Sequence, residues 1–558
     1  MARAGGEDPM TQVAPAAAPD RRVVRRRLWV AGLVCWAAAA VAYGALHLVY
    51  GPRPVYIHIR WAPAVNDGTR QQLEERFALV DGEQLDGRTW GYTLADQSPQ
   101  NIRAFVGEPA VEDTHYIHRT AFRPWRFAPV RRYLVERWWI PGGLEGFSYL
   151  AVLFGVIAVG AGLLERVVPG ITGTLVLARP RPDAVFVLIF VAALLPRLYL
   201  ATTAPYIHDE ENASIPRSRL ISFAPDDLNL PIRSQNHPAL PAYFVKFSST
   251  FFGTRPLGYR MLHVITGMAT IALIYLIAAQ WYGVVAGRWA AALLAFNEYY
   301  VGVSSRATAH VPHLFFLALA IYAFTGFLRR QRAGYLYGSA VALGLAFYCK
   351  EHSALLLPVF ALAVLQRPYR HWFRSVHVYL ASALLLLVIA PDLLWNATAG
   401  EETRQATYGD HLQRIGGLGF SPYPLVFYAR SVVRWLHPIV TGRPLVDATA
   451  EYFSMNPVFG VLLLGAVLAA TARRRLLENS GFLVILFWVV WGFFTAIRPG
   501  GSPKDLDPVS WIWVDVTMFP AVILAGALLA TAAGRVRFVA LAVAAAAFLY
   551  ASVVLLGT

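Results

Sequence analysis

The sequence predicts an α-helical polytopic membrane protein: an N-terminal anchor, a small extracytoplasmic α/β module, and a large multi-span body. Three observations predict it. Of the 558 residues, 56% are hydrophobic and only 15% charged, with a mean hydropathy of +0.46, whereas soluble domains carry about 25% charged residues. Apolar runs near the length of a bilayer crossing recur from Phe147 to the C-terminus. The basic excess, 49 Lys and Arg against 34 Asp and Glu, falls in short loops between those runs, where membrane proteins keep it. An ordinary soluble cytoplasmic enzyme is excluded.

Residues 1–27 are rich in Ala, Pro and Gly and end in Arg21, Arg22, Arg25, Arg26 and Arg27. They read as a disordered cytoplasmic tail with a positive flank. The apolar segment 28–50 follows. A basic n-region also suits a secretory signal peptide, but the run is long enough to span and no A-x-A site ends it, so an uncleaved anchor is expected. Residues 51–145 are polar. Val55–Trp61 is β-branched and aromatic, the composition of a strand. Asp67 opens a helical pattern with Leu73, Phe77 and Leu79 apolar. Further strands are expected at 88–94 and 115–120, with a short helix at 99–105, which together suggest a ferredoxin-like module. Its histidines, His58, His115 and His118, read as surface residues on strands.

A second span and a cytoplasmic linker are expected over 146–183, and residues 184–558 form the multi-span domain. Spans are predicted near 147–168, 184–203, 259–281, 284–297, 311–328, 335–349, 353–366, 376–395, 456–472, 481–497, 513–533 and 537–556, about thirteen with the anchor. With the N-terminus inside, five Arg clusters fall in cytoplasmic loops: Arg166, Arg179 and Arg181; Arg329, Arg330 and Arg332; Arg367, Arg370 and Arg374; Arg473, Arg474 and Arg475; Arg535 and Arg537. That is the positive-inside arrangement. It accounts for much of the net charge of +15 and removes the support for a nucleic-acid partner. The module and the loops 204–258, 396–455 and 498–512 then lie on the opposite side.

The first long outer loop holds His208-Asp209-Glu210-Glu211 directly after a span. Acids at the membrane boundary are costly unless solvated or used, and one placed there suits a general base for a hydroxyl or amine. A solvated, helix-capping start to the loop is the equally open structural reading. The same loop continues through Ser234-Gln-Asn-His237-Pro238 into the amphipathic stretch 241–252, which suits an interfacial helix. Arg260 follows at the mouth of the next span, where it either snorkels to headgroups or binds a phosphate.

An acidic pair after a span, then Asn-His-Pro, then Arg260-Met-Leu, resembles the membrane-embedded GT-C glycosyltransferases, nearest to the protein O-mannosyltransferase and lipid A aminoarabinose transferase superfamily. Ser305-Arg306-Ala307 is similar to that family's Ser-Arg segment. Lys350-Glu351-His352-Ser353 with Leu355–Leu357 and Pro358 resembles its Lys-x-x-x-x-Leu-x-x-Pro stretch. The resemblance covers roughly residues 184–556 and implies a GT-C-like core of about eleven spans. It implies an inverting transfer of a sugar from a polyprenyl-phosphate donor to a lipid, protein or polysaccharide acceptor. The implied location is a bacterial inner (plasma) membrane, with the active site extracytoplasmic.

Carried over residue by residue, the resemblance makes Asp209 the general base or acceptor-orienting acid, with Glu210 as support. It sets Lys350, Arg260 and Arg306 at the donor phosphate. His208, His237 and His310 are the expected substrate contacts. This chain departs from the family where an Asp before Pro is common, for it has His310 and Pro312 there. It also has Trp511-Ile-Trp513-Val-Asp515 ahead of Pro520 where an Arg-Tyr pair is usual. No metal and no certain cofactor are expected. Cys35 and Cys349 lie in apolar stretches and offer no disulfide framework. No P-loop, dinucleotide fingerprint, HExxH or CxxC is present. A transporter or flippase of lipid-linked sugar or another anionic substrate is the alternative, although transporters usually show paired halves and no repeat is found.

Overall fold

The computed structural model describes residues 21–45, 55–96, 183–204, 206–207, 209–221, 229–234, 237–398, 457–472, 480–499 and 515–531, with short pieces inside 101–113, 148–163 and 415–428. Helix α1 (Arg21–Ala45) begins within the segment read as an irregular tail. Its Leu33, Val34 and Val41 are exposed, as a helix facing lipid requires. A Cβ on Gly155 would lie 2.2 Å from the Trp36 indole nitrogen and one on Gly162 would lie 3.1 Å from that of Trp29. Two glycines therefore let the 148–163 stretch approach α1 closely.

The α/β module contains β1 (Val55–Trp61), α2 (Asp67–Arg76), β2 (Leu79–Asp86), β3 (Thr89–Leu94) and β4 (Val111–Asp113). The sheet order is β2-β3-β1-β4, with each neighbouring pair antiparallel. Ile59, Trp61, Leu73, Phe77, Leu79, Tyr92 and Phe105 form its core. Two expectations need correction. Leu79 belongs to β2, not to the preceding helix, and β2 itself was unforeseen because Asp81, Gly82 and Glu83 break the apolar alternation. The helix is capped by the Asn66 side chain, which accepts from Thr69 N at 2.8 Å, and not by Asp67. The strand expected at 115–120 lies outside the described residues.

Beyond the module the chain is helical: α3 (Ala184–Thr203), α4 (Ile215–Arg219), α5 (Leu240–Phe252), α6 (Pro256–Tyr282), α7 (Val284–Ala295), α8 (Glu298–Ser304), α9 (His310–Arg330), α10 (Ala333–Phe347), α11 (Leu356–Leu365), α12 (Val376–Thr398), α13 (Pro457–Ala472), α14 (Gly481–Ala496) and α15 (Met518–Thr531). Among the described residues, five helices, α1, α3, α6, α9 and α12, are long and apolar enough to cross a bilayer, and six shorter apolar helices accompany them. The span expected at 537–556 lies outside the described residues. The protein is an integral membrane protein. Helices α6 and α9 are the most enclosed, whereas α3 and α12 turn most of their apolar side chains outward.

Helix α15 packs across α7. The crossing is close because Gly526 has no side chain: a Cβ there would sit 2.7 Å from Ala286 O and 2.8 Å from Ala290 N. Backbone atoms cannot yield as a flexible side chain can, so Gly526→Val is expected to destabilise by about 1–3 kcal/mol, the usual effect of overpacking. A lowered thermal midpoint in detergent, against an unchanged Gly465→Ala control where nothing lies within 4 Å, checks this.

Arg197 lies within α3 and is fully buried. Its guanidinium donates to Ser304 Oγ at 2.8 Å, Ala193 O at 2.7 Å and Ala295 O at 2.9 Å. A charge inside a span persists only when so satisfied. It fastens α3 to the α7–α8 junction, which in turn positions the segment leading to Arg306.

Candidate active site

The site is built at the ends of α3, α6, α9 and α10. Asp209 and Glu210 follow α3, and a π-helical turn runs over Glu210–Ser214. The two neighbouring acids have opposite surroundings. Glu210 is fully buried. Arg260 Nε donates to its Oε1 and Arg260 Nη2 to its Oε2, both at 2.7 Å. Ala307 N donates to Oε1 at 2.8 Å and Ile207 N to Oε2 at 3.2 Å, and Arg306 Nη1 lies 3.6 Å from Oε2. Burial raises the Glu210 pKa, but the arginines and the Ala307 amide outweigh it and hold the carboxyl below its ordinary value.

Arg260 faces the other way as well. Its Nη1 donates to Ala204 O at 2.8 Å and reaches Ala201 O and Leu200 O at 3.3 and 3.4 Å. These carbonyls end α3, where a cation is favoured by the helix dipole. The guanidinium also lies 4.8 Å from the centre of the Tyr206 ring. The pair thus ties the end of α3, the π-helical turn, the start of α6 and the α8–α9 turn into one unit. Glu210 and Arg260, expected respectively beside the catalytic acid and at the donor phosphate, are bound to one another instead.

Asp209 is half-buried, and among the described residues its carboxylate has no hydrogen-bond partner. Its charge acts on Arg217 and on Lys350. Lys350 follows α10 in extended conformation and is almost wholly buried. Its Nζ lies 2.9–3.0 Å from the two ring nitrogens of His310. Burial lowers the Lys350 pKa, while Asp515, Asp209 and Glu351 pull it back up. His310 Nδ1 is 3.3 Å from Asp515 Oδ2, to which the Tyr299 hydroxyl donates at 3.4 Å. Arg306 is buried beside Glu210.

The structure therefore brings Asp209, Lys350 and His310 into one electrostatic neighbourhood, with Glu210, Arg260 and Arg306 adjoining it through the turn 305–309. His208 lies outside the described residues. His237 sits in a short antiparallel hairpin, β5 (Arg233–Ser234) with β6 (His237–Pro238).

Sequence reading did not foresee three further groups. Asp515 was noted only as a departure from the family pattern. Arg233 is buried and forms an ion pair with Glu351. It also donates to Asn396 Oδ1 at 2.9 Å and lies 3.4 Å from Asp392 Oδ1, so the strand it belongs to is clamped to α12 and to the turn after Lys350. His313, His352 and Asp515 form the third group, with one ligand atom of each within 4.8 Å of the others.

Comparison with known proteins bears on this arrangement. The family described as dolichyl-phosphate-mannose-protein mannosyltransferase matches residues 236–395, the stretch that holds Arg260, Arg306, His310 and Lys350. The match leaves Asp209 and Asp515 outside its bounds. Among curated relatives, an uncharacterized protein of Aquifex aeolicus is 24% identical over 206 residues, 35% of this chain and 40% of that protein. The lipid A galacturonosyltransferase RgtD of Rhizobium johnstonii is 22% identical over 312 residues, 52% of this chain and 65% of that protein. The chain thus spans less than two thirds of the length of either relative. Among solved structures, ArnT from Cupriavidus metallidurans bound to undecaprenyl phosphate aligns with a TM-score of 0.47 and 17% identity, covering 67% of this chain and 66% of that one. An oligosaccharyltransferase of Archaeoglobus fulgidus, tethered to an acceptor peptide, aligns with a TM-score of 0.34 and 12% identity over 61% of this chain and 49% of that one.

Proposed function

We propose that this protein is an inverting glycosyltransferase that moves a sugar from a polyprenyl-phosphate donor to an acceptor on the extracytoplasmic face of the membrane. The observation that carries the reading is the division of labour between two adjacent acids: Glu210 is locked in a buried ion pair, while Asp209 is half-buried with no hydrogen-bond partner among the described residues and its charge acts on Lys350. The donor's anomeric carbon already bears a phosphate leaving group. The protein needs a carboxylate base to take the acceptor proton and a cation to meet the departing phosphate. Asp209 and Lys350 supply both. Displacement in line from the face opposite the phosphate inverts the anomeric centre.

His310 stands between Lys350 and Asp515, in contact with both, and Arg306 stands as a second cation beside the site. Arg260 and Glu210 act as positioning residues, because their charges are matched to one another. The GT-C family match over residues 236–395 supports this class of chemistry. The five Arg clusters support an orientation with Asp209 outside.

Lys350→Met tests the donor contact. Losing a hydrogen bond to a charged group costs about 1.5–3 kcal/mol, so the donor KM is expected to rise roughly 10- to 100-fold. Steady-state kinetics with a purified lipid-linked sugar measure it, and an unchanged KM and kcat would remove Lys350 from the phosphate site.

A further inference from the structure

We propose that His313, His352 and Asp515 form a binding site for a divalent transition-metal ion, with Zn2+ the best-matched occupant. The Ser353 hydroxyl donates its only proton to Lys350 O at 2.7 Å. It must therefore accept from its second neighbour, His313 Nε2, at 2.9 Å. His313 thus carries its proton on Nε2, which leaves a bare lone pair on Nδ1. Nδ1 is buried and has no hydrogen-bond partner among the described residues.

Asp515 presents the matching feature. Its Oδ2 is engaged by His310 and Tyr299, whereas its Oδ1 is buried with no hydrogen-bond partner among the described residues. A bare imidazole lone pair and a carboxylate on residues this close are a pair that a bound cation would bridge. The His352 ring stands 4.5 Å from that of His313, with the planes 66° apart, and completes a set of three ligand atoms within 4.8 Å.

Two imidazoles and one carboxylate are a donor set that zinc and related metals take, whereas Mg2+ and Ca2+ prefer oxygen alone. With metal–ligand bonds of about 2.0–2.1 Å, the ligand atoms of a loaded tetrahedral site lie about 3.3 Å apart. The observed spread of up to 4.8 Å has to contract to that value when the metal binds. The Ser353 contact supplies the second hydrogen bond that orients a metal-bound histidine. Lys350 does not occupy the gap, since its ammonium lies against His310. A fourth coordination position beside Lys350 would suit a phosphate oxygen. That consequence rests on the proposed function, whereas the metal binding does not.

The test uses the full chain in detergent, stripped with chelator and titrated with Zn2+, Mn2+ and Mg2+ in the absence of any donor lipid. Saturable uptake of about one Zn2+ per chain is expected, with Mg2+ at least tenfold weaker. Asp515→Asn and His313→Gln are each expected to weaken Zn2+ binding tenfold or more. X-ray absorption on the loaded wild-type protein is expected to show two imidazoles and an oxygen shell, a readout that does not depend on either variant folding. Failure of the wild-type protein to bind Zn2+ or Mn2+, affinity unchanged in folded variants, or a shell without imidazole each overturns the proposal. Binding without donor leaves the transferase reading to be judged by turnover alone.

Discussion

An Asp209→Asn variant is expected to fold, insert and bind lipid-linked donor, yet to lose roughly 10²–10⁴-fold in kcat, the contribution of a positioned general base. The amide keeps the shape of the side chain and removes both its negative charge and its proton affinity. Asp209 has no hydrogen-bond partner to lose among the described residues, so little stability should be at stake. The kcat and KM values separate the roles: a base acting in the transition state changes kcat, while a residue that only binds acceptor changes KM. Thermal midpoints of variant and wild type, measured side by side, establish that the loss is chemical. Near-normal turnover would remove Asp209 from its role.

The neighbouring acid is expected to behave in the opposite way. Glu210→Ala leaves the fully buried Arg260 without its carboxylate, and breaking a buried ion pair from one side costs about 3–5 kcal/mol. Arg260→Met strands the buried Glu210 carboxylate, which then keeps only the amides of Ala307 and Ile207 and the more distant Arg306, and should be comparably harmful. The double substitution Glu210→Ala with Arg260→Met is expected to recover part of the loss, because neither partner of the pair then leaves the other unmatched, and a double-mutant cycle reads the coupling directly. The pH dependence has a definite sign. The Glu210 pKa in the folded protein is depressed below the ordinary value of 4.5. Its stabilisation is therefore complete above that value and disappears as the pH falls through the folded pKa. Wild type should lose stability on acidification below about pH 4.5, and the doubly substituted protein should lose less. Stability indifferent to Glu210→Ala would show that the pair does not hold the site together.

The helices were legible because a bilayer imposes length and composition on them: α3, α6, α9 and α12 fall where the apolar runs are. The module was less so. Strand β2 contains Asp81, Gly82 and Glu83, and its register is fixed by pairing with β3, which local pattern does not encode. In the site, charged residues at span ends drew attention to Asp209, Glu210, Arg260, Arg306 and Lys350. Their division of labour was hidden, since Asp209 and Glu210 are chemically alike and adjacent, and only the fold decides which one meets Arg260. Arg233 joins Glu351 and Asp392 across 118 and 159 residues of sequence, a distance at which a single sequence gives no signal. Arg197 was lost inside an apolar run, because its partners are a hydroxyl and backbone carbonyls supplied by other helices. Asp515 was visible only as an acid in an unexpected place.

The proposed reaction breaks a sugar–phosphate bond and makes a glycosidic one. The most direct measurement reconstitutes the purified chain in liposomes with a polyprenyl-phosphate-linked sugar and an acceptor extract, and follows donor and product by mass spectrometry. The expected result is glycosylated acceptor together with stoichiometric release of free polyprenyl phosphate, both abolished by Asp209→Asn. Donor that crosses the bilayer intact, with no product and no released polyprenyl phosphate, would contradict the account and identify a carrier of lipid-linked sugar instead.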